Sequence, residues 1–228
     1  MEKQLASLVK LSGKQYGITD VDVRQMIKDI SHVFNQALLA EDHDKRSILR
    51  ITTKLRDAGR RSPPWTPASS VVPGRPQDGA DGNRRLRWLF AETHKFYAHE
   101  VDATLTEVKY YLQLLSMTNA PSLPTNTIQN CFSWLIEHPV EPNTYRDPIQ
   151  VIPINLVDVL ADARCIQSGH LIPLDRGGRH EAKNAFLMLA RSNQLQGNLT
   201  VAELLQLMEA IVTRHKENGV IKTLVTPD

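Results

Sequence analysis

Cysteine is nearly missing from this chain. Its 228 residues include two, Cys131 and Cys165, and neither belongs to a Cys-x-x-Cys pair. That excludes a disulfide framework and a four-cysteine zinc site, and leaves both thiols as small apolar side chains. Long apolar runs are missing too. No stretch approaches the roughly 18 residues that a membrane span requires. Residues 1–11 are charged and amphipathic, unlike a signal peptide, so a cytoplasmic location with no membrane partner is expected. Excess charge is scarce: 27 Lys and Arg against 25 Asp and Glu leave a net +2. Any basic surface must therefore be local. What remains is ordinary globular composition, 41% hydrophobic and 23% charged, in a length that suits one large domain or two small ones.

Four segments emerge from the patterning. Residues 1–60 read as a helical N-terminal region. Thr19 or Asp20 caps a helix reaching about Ala40, with Val23, Met26, Ile27, Ile30, Val33, Phe34, Ala37 and Leu38 at helical spacing, and residues 45–58 are a second helix. Residues 61–83 are rich in Pro and Gly and read as a linker or mobile loop, within which Trp65 is the one large aromatic. Residues 84–140 hold a long helix over 84–117, then a short one over 125–137. The long one would run roughly 50 Å. It packs on the N-terminal helices or forms a homodimer seam. Arg84, Arg85 and Arg87 make its first turn basic, either as a solvated end or as phosphate contacts. Residues 141–228 form the last unit. Within it the run 151–154 should bury the unit's first strand, and residues 156–160 suit a helical turn.

That unit contains the densest pattern in the chain. Residues 167–170, Gln-Ser-Gly-His, end an apolar strand-like segment on His170. Pro173 and the Gly177-Gly178 loop come next. Asn184 and Asn193 lie 14 and 23 residues after the His, flanking the apolar run 185–190. Thr200 and Glu203 then make a capping box that starts a helix. The local order is strand, loop, strand, helix. His170, Pro173, Gly177, Gly178, Asn184, Asn193 and Gly197 together resemble the HNH nuclease motif, the ββα-metal fold, over roughly residues 145–200. The fold class expected is thus α+β, mostly α, with a helical N-terminal region and a C-terminal ββα-metal nuclease domain.

The resemblance implies phosphodiester hydrolysis, aided by one His and one hard divalent metal, Mg²⁺ or Mn²⁺. His170 would be the general base and Asn193 the metal ligand. Asn184 would orient the His or brace the loop. Arg176, Arg179, Lys183 and Arg191 would contact nucleic acid. The chain departs from the family twice. It lacks the zinc-binding cysteine pairs that often scaffold the motif. It also has Gly169 where many members carry an acidic or His ligand, so its Ser-Gly-His order is closer to the non-specific DNA/RNA nucleases. Three readings result: a site resting on Asn193 alone, a second ligand from Asp175, His180, Asp162 or Asp147, or an inactive site. The functions implied are a DNA endonuclease, with double-stranded DNA favoured and restriction or phage defence as the setting, a toxin-like or RNA-directed nuclease, or a non-enzymatic DNA-binding or assembly subunit. His32, His43, His94, His99, His138 and His215 carry no assigned chemistry.

Overall fold

Two of the helices read from apolar spacing start and stop where their caps require. A computed structural model of the chain describes residues 1–63, 84–124 and 128–219. After helix α1 (Glu2–Ser12), helix α2 (Asp20–Ala40) begins at Thr19, whose hydroxyl accepts from Asp22 N–H while the Asp22 carboxylate accepts from Thr19 N–H. Helix α3 (Lys45–Gly59) begins at Asp44, whose carboxylate accepts from Ser47 N–H at 2.9 Å. Each cap satisfies a donor that the first helical turn leaves orphaned. Most of the linker, with Trp65, lies outside the described residues. Its flanks meet: Arg87 N–H donates to the Arg60 carbonyl and Ser62 N–H to that of Arg85.

The long helix over 84–117 does not form. A single 3₁₀ turn covers Arg87–Leu89 and turns occupy residues 92–96. Only helix α4 (Glu100–Leu114) is regular. The cause is tertiary. The Arg87 side chain is buried and bonds backbone carbonyls, and His94 and His99 accept backbone N–H groups locally. His99 thereby becomes the cap of α4. The basic first turn is lost with the rod: Arg87 is interior and Arg84 pairs with Asp57. Nor does α4 offer a dimer seam. Tyr110, Tyr111, Leu112 and Leu114 are buried inside the chain, where α4 packs on α2 and α3. No helix of the described residues is long and apolar enough to cross a membrane.

The short helix expected over 125–137 does not form among its described residues, 128–137. Residues 128–135 form irregular turns, because Val140 N–H reaches back to the Gln129 carbonyl and doubles the chain on itself. Its apolar side chains Ile128, Phe132, Leu135 and Ile136 still enter the core. Helix α5 (Leu156–Ala161) comes next, then strand β1 (Ile166–His170), strand β2 (Ala185–Leu189), helix α6 (Ala190–Gln196) and helix α7 (Val201–Glu217). The molecule is α+β and mostly helical, with a two-stranded antiparallel sheet and a ββα region near its C-terminal end. The helix completing that region is α6, not the one that the Thr200–Glu203 capping box starts. No side chain caps α6, so its start carries no sequence signal.

A two-stranded sheet is marginal in water by itself. Here β1 and β2 pair from Ile166 with Leu189 to His170 with Ala185, and Ile166, Ala185 and Leu187 join the core of α1–α4. The free edge of β2 is closed by side chains. Leu187 N–H donates to Gln113 Oε1 at 3.0 Å, its carbonyl accepts from the Tyr145 hydroxyl, and Leu189 N–H donates to Asp147 Oδ2 at 2.8 Å. The lead-in thus serves β2, while its Ile154, Leu156 and Leu160 share the main core with Ile166 of β1. Ile149 packs with Phe186 and Met188, while Val151 and Ile152 are exposed.

Candidate active site

β1 delivers His170 to the mouth of the loop 171–184, whose shape is set by three residues. Gly177 ends a 3₁₀ turn with φ +86°, a left-handed conformation that favours glycine. A Cβ on Gly178 would stand 2.0 Å from the Ile172 carbonyl oxygen, so only glycine fits. Asn184, almost fully buried, accepts from Ile172 N–H at 2.8 Å and donates to the carbonyls of Ile172 at 3.0 Å and Arg179 at 2.8 Å. Of its two expected roles, Asn184 therefore fills that of loop brace. All its described hydrogen bonds go to loop backbone.

α6 is fastened to β1 by two amide side chains one helical turn apart. Asn193 Nδ2 donates to Gln167 Oε1 at 2.6 Å, and Gln196 Nε2 donates to the His170 carbonyl at 2.7 Å. The i, i+3 spacing puts both on one face. As a result His170 and Asn193 line one open cleft of about 310 Å³, together with Pro63, Lys95, Phe96, Pro173, Leu174, Asp175, Gln196, Gly197 and Asn198. Because Gln167 holds the Asn193 nitrogen, the Asn193 oxygen is the atom left for a cation. Gly169, the position lacking an acid, sits under Met188: a Cβ there would come within 2.6 Å of Met188 Cε and 2.7 Å of Sδ. The thioether takes the space that a ligand side chain would need.

His170 edges the cleft, and behind it lies a second imidazole. His170 Nε2 is 3.0 Å from His180 Nδ1, and His180 Nε2 is 2.6 Å from the Gly59 carbonyl. His180 is 1% exposed. Burial first, and the Arg87 charge second, pull the His170 pKa down to about 3 and that of His180 well below its usual range. Both rings are thus neutral at pH 7. Arg87 Nε donates to the same Gly59 carbonyl at 3.1 Å, and burial lowers its own pKa to about 10.

The remaining candidates separate. Asp175 lines the cleft but is paired with Lys95 at 2.6 Å. Asp147 is fully buried and accepts from Ile149 N–H, Gln150 N–H, Ser192 Oγ and Leu189 N–H, which occupies its carboxylate. Asp162 caps a short turn and binds Arg164 in a different cleft. His180 has both nitrogens engaged. The expected cations stand outside the cleft lining: Arg176 pairs with Glu203, Arg179 reaches the Glu92 carbonyl, Lys183 pairs with Glu181, and Arg191 is exposed. Lys95 is the cation in the lining, and the helical reading of 84–117 hid it. Gln167 and Gln196 were missed likewise, and Arg87, expected as a solvated end or a phosphate contact, is instead buried behind the site. The Gln167–Asn193 separation of 26 residues is a contact that only the folded ββα region makes.

The donor set suits a hard divalent ion. One neutral amide oxygen, with the Asp175 carboxylate in the same cleft, would leave most of the shell of such an ion to other ligands. Among the described residues no three His, Cys, Asp or Glu side chains gather as a ready metal cage.

No protein-family model matches the chain, and no curated protein matches it. Among solved structures it is similar to one described as a crystal structure of a type II restriction endonuclease. The match has 21% identity and a TM-score of 0.43, over 54% of this chain and 55% of that one. The chain thus matches about half of that structure's length. The chemistry has to be read from the residues themselves.

Proposed function

We propose that this protein is a metal-dependent endonuclease that hydrolyses DNA, with double-stranded DNA as the favoured substrate. The observation that carries this reading is the meeting of a neutral His170 and the free oxygen of Asn193 in one open cleft of a ββα region. Held neutral, His170 accepts a proton from the attacking water. Lys95, whose ammonium also lies over the Phe96 ring at 5.2 Å, contacts the phosphate once it leaves Asp175. Asn193, and Asp175 when free of Lys95, would hold Mg²⁺ or Mn²⁺, which when bound offsets charge on the phosphate and the leaving oxygen. An anionic phosphate beside His170 favours its imidazolium and restores part of the basicity that burial removes. Restriction or phage defence is the setting proposed with it.

The test is digestion of supercoiled plasmid and total RNA, side by side, with Mg²⁺, Mn²⁺ or chelator. Plasmid cutting that needs the metal and drops about 10²- to 10⁴-fold in His170→Ala is the expected result. RNA cut faster than DNA moves the substrate assignment to RNA. A His170→Ala protein that cuts as fast as wild type removes the catalytic assignment.

A further inference from the structure

The imidazole pair behind the cleft has a direction. The Gly59 carbonyl can only accept, so His180 Nε2, 2.6 Å away, carries a proton. His180 is held neutral by burial, so its Nδ1 has the lone pair. That lone pair faces His170 Nε2 at 3.0 Å, which must then carry the second proton. We infer that His180 is a positioning residue which locks His170 in the Nε2–H tautomer and leaves Nδ1 as the nitrogen that receives the proton from water. This rests on the nuclease reading for its catalytic meaning, though not for the tautomer itself.

The surrounding groups reinforce the order. Gly59 is the last residue of α3, at the end of the helix dipole that attracts donors. It also lies against α4: a Cβ there would sit 2.6 Å from Glu107 Cβ. That close crossing belongs to the same packing that places the carbonyl against His180. Arg87 donates to the same carbonyl and its charge opposes a cation on either ring. Tyr110 faces Arg87, and Lys95 and Asp175 line the cleft with His170. When water gives up a proton, its O–H bond breaks and an Nδ1–H bond forms. The electron pair stays on the oxygen, which bonds to phosphorus as the phosphorus–oxygen bond to the leaving group breaks and its electron pair departs with the leaving oxygen. The Nε2–H to His180 is kept throughout. Without His180, neutral His170 would divide between two tautomers, one of which puts a proton on Nδ1 and blocks the base.

Long-range ¹H–¹⁵N correlation spectra of histidine-labelled full-length protein at pH 7 read the tautomers directly, with His170→Gln giving the assignment. Wild type should show both rings as Nε2–H. His180→Leu should mix the His170 tautomers and lower kcat on plasmid about 10- to 100-fold, with KM little changed. His180→Gln, whose amide can accept from His170 and donate to Gly59, should restore tautomer and kcat together; thermal unfolding confirms that each variant folds. A wild-type His170 with its proton on Nδ1, or a folded His180→Leu with unchanged tautomer and kcat, would overturn the assignment. Nε2–H rings in a protein that cuts no substrate would support the tautomer assignment while counting against the nuclease reading alone.

Discussion

At the scale of single residues, the site is defined by what His170 cannot do. An imidazole in water titrates near 6.5, but burial and then the Arg87 charge lower His170 to about 3. The consequence for stability has a definite sign. Between these two values the unfolded chain binds a proton that the folded chain refuses. The stabilisation is therefore full above about pH 6.5 and is lost as pH falls toward 3. Urea unfolding at pH 7 and pH 5 should show wild type losing up to about 2 kcal/mol more than His170→Gln over that interval. Equal losses would mean that His170 titrates normally in the folded protein. The residues that resemble a known motif were legible because each carries a local constraint. Gly177 needs its positive φ, Gly178 its missing Cβ, and Asn184 its loop carbonyls. Gln167, Arg87 and Lys95 were not, because their partners lie 26, 28 and 80 residues away.

At the scale of elements, apolar periodicity was a sound guide wherever an element buries a face against the core. α2 and α3 conform to it closely, and β2 is a continuous apolar run. Periodicity misled over 84–117, where the same spacing serves turns that pack Phe90 and Phe96 while Arg87 reaches inward. A pattern of apolar residues does not tell a helix from an irregular segment that buries the same side chains. The β-hairpin shows the opposite dependence: its strands are legible but their support is not. Gln113, on α4, accepts from Leu187 N–H at 3.0 Å and is 2% exposed. Gln113→Leu would leave that buried N–H unpaired, at a cost of about 1–3 kcal/mol. Chemical denaturation measures it directly. A change below about 0.5 kcal/mol, the range of ordinary surface substitutions, would show that the β2 edge does not depend on α4.

At the scale of the whole molecule, the ββα region is tied to the helices around it. Lys109 and Gln113 of α4 bond the Ala182 carbonyl and Leu187 N–H, and Gly59 of α3 bonds His180. Helices α3 and α4 thus supply the wall behind the site, and one continuous core joins α1–α4 to both strands. α6 has no side-chain cap of its own and is seated on β1 by the Asn193–Gln167 and Gln196–His170 bonds, so the proposed metal site rests on the Asn193 oxygen that these bonds leave toward the cleft. Anomalous scattering from crystals of the full chain soaked in Mn²⁺ locates the ion without reference to activity. The expected result is an ion in the His170 cleft with Asn193 Oδ1 at about 2.1–2.2 Å. An ion more than about 4 Å from Asn193, well outside any ligation distance, would contradict a metal site built on that residue.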